Sequence, residues 1–286
     1  MRAMAAERDD TGTLERPVLH LSGPRLTRSL ETLVGATDAD FGVEAYITGL
    51  TFKAALFKET LAPGRIRDLE GDTLIGLAAF MGPVRRRIGR WLEGRDMVPV
   101  RRAVQDLLAG AADGSDVDQR IAAFCARLET GPKDRWVRDL AAEMLHFTDP
   151  EQYPLMTRWV WDAQPNTGVL REIWFADDID SITLDIKDTY ATHLMLREEL
   201  SQFLSTNGVF RDMLFYVDLL MAQVYSDYIA EQGGSFLRTD FASEMDPMEF
   251  TRRMLGLDGV DAETGRTRVR LADGTRFVLT DLKTTN

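Results

Sequence analysis

Apolar residues recur along most of the chain at the three- and four-residue spacing of an amphipathic helix. From position 38 to 61, Phe41, Ala45, Leu50, Ala54, Phe57 and Leu61 keep near-helical spacing, and Pro63-Gly64 ends the run. Shorter helices are expected over residues 29–33, 73–80, 84–92 and 98–108. Asp113-Gly114-Ser115-Asp116 reads as a loop whose last Asp caps a helix over 117–129. Residues 133–147 carry Trp136, Leu140, Met144 and Phe147 on one face. Two long helices follow, over 185–204 and 209–231, and a short one over 247–255. The second long helix is apolar nearly all round, from Phe210 to Ile229, which predicts a place in the centre of a bundle.

Period-two alternation occurs twice. Residues 158–162 and 169–174 flank Gln164-Pro165-Asn166-Thr167-Gly168, which predicts a central β-hairpin, with a short helix pair as the alternative. Residues 267–271 and 275–279 flank Ala272-Asp273-Gly274. A three-residue loop with Gly274 left-handed would pair Val269 with Phe277. It would turn Leu271 and Leu279 toward the body and Arg268, Arg270 and Arg276 away from it. The expected fold is mainly α: one helical domain over 18–256, an orthogonal bundle, with a C-terminal β-hairpin over 257–286 packed on it. Residues 1–17 are polar and aperiodic and read as a loose tail.

Composition narrows the setting. The 286 residues are 44% hydrophobic and 28% charged, a globular balance. No apolar run approaches the length of a membrane span, so no membrane partner is expected. The N-terminus turns acidic before any apolar core, unlike a secretory signal, and cytoplasm is the expected location. Cys125, the only cysteine, excludes an intrachain disulfide and reads as a buried, inert thiol in an apolar helix. The net charge of −12 opposes nucleic acid unless a local patch overrides it.

Candidate chemistry is sparse. Glycine-rich phosphate loops, a Walker loop, paired cysteines, a Gly-x-Ser-x-Gly elbow and a His-Glu-x-x-His motif are all missing from the sequence. Glu143 and His146 form one Glu-x-x-His, half of what a carboxylate-bridged di-metal site needs, so they are at most weak metal candidates. The alternative is that His146 closes its helix by hydrogen bonding to the chain ahead of Pro150. Tyr190, His193 and Arg197 share a helix face that could bind an anion or move a proton. Asp218 interrupts the most apolar helix, so it is either paired structurally, with Arg211 two turns away, or lines a pocket. Tyr190, His193 and Asp218 are therefore the catalytic candidates. The acidic run Asp177-Asp178-Ile179-Asp180 lacks the spacing of a calcium loop, and no cofactor is expected.

Arginine outnumbers lysine 29 to 5 and is concentrated twice. Arg85, Arg86, Arg87 and Arg90 form one cluster, and Arg268, Arg270 and Arg276 form another on the C-terminal hairpin. Such clusters grip phosphate or an acidic surface, or else pair with the protein's own carboxylates. Trp159, Trp161 and Trp174 look exposed, and aromatic residues with arginine are what anchor interfaces.

The stretch from Ala142 to Leu155, with Leu145-His146-Phe147 near a helix end and then Pro150 and Tyr153-Pro154, resembles helical domains related to the helix-hairpin-helix DNA glycosylases. The resemblance implies a helical fold. Thr157 stands where that pattern has Asp, and neither a glycine hairpin nor a Lys-Asp pair is present, so it carries over no catalytic residue. The expected function is that of a non-enzymatic accessory or regulatory protein whose arginines and tryptophans bind a macromolecular partner, most simply a protein. An enzyme or small-ligand binder with a pocket between the two long helices is the alternative. Nucleic-acid binding through the arginine clusters is a third reading, disfavoured by net charge.

Overall fold

The computed structural model describes residues 18–37, 42–110, 114–129, 131–176, 182–233, 248–261 and 266–278. Wherever the apolar spacing is helical, a helix forms, and its ends follow local chemistry. In order these are α1 (Gly23–Thr37), α2 (Val43–Thr60), α3 (Gly71–Ala79), α4 (Ile88–Leu92), α5 (Met97–Leu108) and α6 (Val117–Leu128), then α7 (Trp136–Thr148), α8 (Val169–Glu172), α9 (Tyr190–Thr206), α10 (Met213–Gly233) and α11 (Glu249–Leu255). Asp96 caps α5 by accepting from the Val98 amide. Thr189 caps α9 the same way through Thr192, which is why that helix begins at Tyr190 and not at position 185. Gly256, left-handed at φ 73, closes α11.

Two helices make the centre. On α7, every residue from Leu140 to Phe147 is buried. On α10, Val217, Leu219, Leu220, Met221, Ala222 and Val224 are buried, as the all-round apolar pattern requires. α10 packs on α1, α2, α8, α9 and α11, and α7 packs on α2, α5 and α6. Phe57 of α2 meets Phe147 of α7 with ring centroids 5.5 Å apart. No described helix is long and apolar enough to cross a membrane.

The middle of the chain departs from expectation. No central β-hairpin forms among the described residues: Asp162 and Thr167 make a single bridge, and α8 starts two residues later. The cause is Gly168, whose φ of +124 turns the chain so closely past the Val160 carbonyl that a side chain would not fit. The Val169 and Leu170 amides then donate to the Trp159 and Val160 carbonyls while Val169–Glu172 coils into a helical turn. That crossing drives Trp159 and Trp161 into the core, at 6% and 0% exposure, which corrects their reading as exposed. Trp174 is half-buried and meets His20 edge-on. Asp116 also departs: its side chain does not cap α6 but accepts from Arg120 one turn later at 3.0 Å.

The C-terminal hairpin pairs β1 (Arg266–Arg270) with β2 (Arg276–Val278), antiparallel. Arg270 stands opposite Arg276, and the register shifts before Arg266 meets Val278. Thr267 and Val269 are buried while Arg266, Arg268 and Arg270 face out, and Gly274 is left-handed at φ 85. The hairpin seats on α3 and α4. The N-terminal tail 1–17, the acidic run at Asp177–Asp180, Pro247 and Leu279 lie outside the described residues.

Candidate functional site

The turn before α4 and α4 itself bury Val84, Arg85, Ile88 and Gly89 and leave Arg86, Arg87 and Arg90 exposed on the other side. Across from them, the 3-10 turn Pro132–Asp134 presents Lys133, and the start of α7 presents Arg135. The loop end of the hairpin supplies Arg270, Leu271 and Ala272. Together these line an open groove of about 700 Å³, with Trp91, Trp136 and Arg158. Arg270 of the C-terminal hairpin thus meets Arg86, Arg87 and Arg90 at one place, although 180 residues separate Arg90 from Arg270 in sequence.

The cations of the groove fall into two groups. Arg135 donates to both carboxylate oxygens of Asp162, at 2.9 and 2.8 Å. Arg158 donates from Nε and Nη2 to Asp139, at 3.0 and 2.6 Å. Burial disfavours the Arg158 charge, but the hydrogen bonds and attraction of Asp139 outweigh it and raise its pKa. Arg86, Arg87, Arg90, Lys133 and Arg270 have no carboxylate partner among the described residues: Arg87 donates to the Lys133 carbonyl, and Arg270 reaches the Gly274 carbonyl at 3.4 Å. Asp134 is the one acidic residue among the described residues of the lining.

Three of the sequence-selected arginines stand elsewhere. Arg85 is buried, a fork clamped on Asp258 at 2.7 and 3.1 Å, so it is a structural residue and not an exposed anchor. Arg268 shares that carboxylate at 3.2 Å and donates to the Asp258 carbonyl. Arg276 is exposed on β2 and does not line the groove. The shared pairing of Arg85 and Arg268 with Asp258 ties the hairpin to the body, so these two build the groove wall without facing into it. Trp159, Trp161 and Trp174 are not in the groove; Trp91 and Trp136 are.

A second cluster lies inside. Glu143 and His146 share a face of α7 but serve different partners. Lys53 of α2 reaches Glu143 at 2.8 Å, with both side chains all but inaccessible to solvent. The same ammonium donates to the Leu255 carbonyl at the end of α11 and sits 3.7 Å above the Phe147 ring. Burial lowers the Lys53 pKa and raises that of Glu143, each against the attraction of the other. His146 bonds through Nδ1 to the Tyr153 carbonyl at 2.8 Å and through Nε2 to Asp218 at 2.8 Å. A carbonyl only accepts, so Nδ1 carries a hydrogen, and one further proton must lie between Nε2 and Asp218. Arg211 is not the partner of Asp218. No group of three or more His, Cys, Asp or Glu among the described residues could hold a metal ion.

His146, Asp218, His193 and Arg197 border a cavity of about 10 Å³ between α7, α9 and α10. That is room for about one water. His193 donates from Nδ1 to the Thr189 carbonyl, and its buried Nε2 has no hydrogen-bond partner. Burial, aided by Arg138, lowers its pKa to about 4, so the ring is neutral. Arg197 uses Nη1 on the Pro150 and Glu151 carbonyls. Tyr190 is separate: its hydroxyl donates to the Gln152 carbonyl and its ring covers Gly114. Of the three catalytic candidates the fold thus brings together His193 and Asp218 and leaves Tyr190 out. Cys125 is half-buried, and burial with nearby Glu129 pushes its thiol up to about 12.

Sequence reading missed Lys133, Arg135 and Arg158 as groove residues, because each is a single cation with no local pattern. Comparison with protein-family models, curated proteins and solved structures finds no match to this chain.

Proposed function

We propose that the chain is a cytoplasmic, non-enzymatic accessory protein that docks an acidic segment of a protein partner in the groove between α4, the start of α7 and the C-terminal hairpin. One observation carries the reading. Five cations without a carboxylate partner among the described residues line a single groove of a protein whose net charge is −12. Self-pairing is the ordinary fate of arginine in an acidic protein, and Arg85, Arg135 and Arg158 follow it. Leaving five cations unpaired in one concavity costs electrostatic repulsion, which an anionic partner would relieve.

The scale of the field favours a short segment over a long polyanion. At physiological salt, charges are screened beyond about 8 Å. A segment lying in the groove feels the local arginines, whereas a duplex running past it meets the acidic remainder of the surface. The interior cavity supports the small-ligand reading less well, since its volume of about 10 Å³ admits no substrate. His146 and Asp218 also satisfy each other there.

The test is titration of a ten-residue Glu/Asp peptide at low salt into the protein and into the triple variant Arg86→Ser/Arg90→Ser/Arg270→Ser. The reading requires binding that weakens with salt and falls by about ten-fold or more in the variant, the loss expected from several charge-assisted contacts. Equal affinity of the two proteins, or no binding by either, overturns it.

A further inference from the structure

We infer that the groove recognises a phosphate group on the partner, in the form of a phosphorylated side chain within the acidic segment. The inference rests on the docking proposal and deepens it. It starts from charge and donor geometry. Arg86, Arg87 and Arg90 rise from one turn of chain, with Lys133 and Arg270 on the facing walls. A peptide carboxylate brings one negative charge and two oxygens in a plane, which one guanidinium fork satisfies. The carboxylates of an acidic segment therefore engage these cations one at a time. A phosphate monoester brings a charge of about −1.5 to −2 and three oxygens in three directions, and so engages donors from several walls at once.

Two further donors are held ready. Asp162 and Asp139, buried behind the groove, each fix a guanidinium by two hydrogen bonds. Neither of those bonds uses Nη1 of Arg135 or Nη1 of Arg158. A guanidinium immobilised from behind loses little freedom on binding and presents its remaining N–H groups at a fixed angle. That arrangement suits an anion with oxygens in several directions.

The carrier of the phosphate follows from what the groove lacks. A nucleotide or single-stranded nucleic acid is held by stacking its bases on open aromatic faces. The aromatic residues lining this groove are Trp91 and Trp136. The Arg95 guanidinium already sits 3.9 Å over the Trp91 ring, and Trp136 meets that ring edge-on at 5.6 Å and is itself buried. Phosphate donors are plentiful, and a free platform for a base is not among the described lining. A phosphorylated protein side chain needs the first and not the second.

The experiment compares three versions of one acidic peptide, with phosphoserine, glutamate or serine at its centre, by calorimetric titration into the full chain. The inference requires the phosphoserine peptide to bind about ten-fold or more tightly than the glutamate peptide, since a second charge and a third oxygen are engaged. It also requires inorganic phosphate to compete, and Arg86→Ser/Arg90→Ser to erase the difference between the two peptides. Equal binding of the phosphoserine and glutamate peptides overturns the phosphate inference and leaves the acidic-segment reading standing. Absence of binding by all three overturns both. Tighter binding of a ten-nucleotide oligothymidylate than of the phosphoserine peptide overturns the assignment of the phosphate to a protein.

Discussion

Gly89 lies directly beneath the backbone carbonyl of Arg270. A methyl group at Gly89 would collide with that oxygen and with the Leu271 backbone, so α4 and the hairpin approach as closely as they do only because the residue is glycine. The contact brings Arg270 beside the Arg86–Arg90 cluster. Gly82 and Gly256 repeat the device, against the Arg253 and Phe80 carbonyls, so the end of α11 also meets the body backbone to backbone.

Gly89→Ala therefore shifts the hairpin away from α4 and moves Arg270 relative to Arg90. The core beneath α4 is untouched, so the expected stability loss is about 1–3 kcal/mol, the usual cost of overpacking. The expected loss of affinity for the acidic or phosphoserine peptide is larger than that of Arg276→Ser, because Arg276 lies off the groove. Unfolding in urea and peptide titration on the same samples check both halves.

The Lys53–Glu143 pair crosses from α2 to α7 with neither side chain reachable by solvent. Removing one partner strands the other charge in an apolar core. Lys53→Met is expected to destabilise by about 3–5 kcal/mol, whereas Lys53→Met/Glu143→Leu recovers most of that loss. Unfolding midpoints of the two variants decide it; equal destabilisation would mean that Glu143 finds another donor.

His193 and Asp188 are 3.8 Å apart and shift in opposite directions. Burial, offset by Arg138 and reinforced by Asp162 and Asp139, raises Asp188 from 3.8 to about 6. Burial lowers His193 from 6.5 to about 4. Asp118 from α6, Arg138 from α7 and Asp218 across the cavity from α10 also face this region. Between about pH 4.5 and about pH 6 the folded state holds a proton on Asp188 that the unfolded state has lost, so that group's stabilisation fades as pH rises. Over the same interval the unfolded state holds a proton on His193 that the folded state lacks, so that group's stabilisation grows as pH rises. The two slopes oppose. Asp188→Asn is expected to make stability climb with pH across this window relative to the parent, and His193→Gln to make it fall. Urea midpoints at several pH values separate the two; parallel profiles for both variants would refute the assignment.

Local pattern carried the helices because a 3.6-residue period and a cap are properties of adjacent residues. α10 was legible from an apolar pattern that Asp218 alone breaks in its first half, and the hairpin arginines from alternation about Gly274. The tryptophans failed for the same reason in reverse. Trp159 and Trp161 alternate like strand residues, yet Gly168 sends the following chain back across them, and that crossing depends on tertiary contact. The pairing of His146 with Asp218 spans 72 residues and leaves no trace in spacing. The groove was half legible: the clusters of Arg86–Arg90 and Arg270 stand out in the sequence, whereas Lys133 and the carboxylate-backed Arg135 and Arg158 become visible only when the walls meet.

The unpaired cations also set a thermodynamic expectation that needs no knowledge of the partner. Arg86, Arg87, Arg90, Lys133 and Arg270 repel one another across the groove, and an anion bound there stabilises only the folded state, because unfolding disperses the five charges. Phosphate should therefore raise the melting temperature more than chloride at matched ionic strength. Screening alone would make the two salts equal, which is the outcome that refutes a site. At a phosphate concentration of one hundred times its dissociation constant the gain is about 2.7 kcal/mol. In Arg86→Ser/Arg90→Ser the phosphate increment should shrink to the general stabilisation that an excluded anion gives any folded protein, and the variant should melt no lower than the parent in low salt, since it has lost repulsion and no ion pair. In Arg276→Ser, with the charge removed outside the groove, the increment should persist. Thermal melts of these three proteins in the two salts separate a localised anion site from a general response to charge.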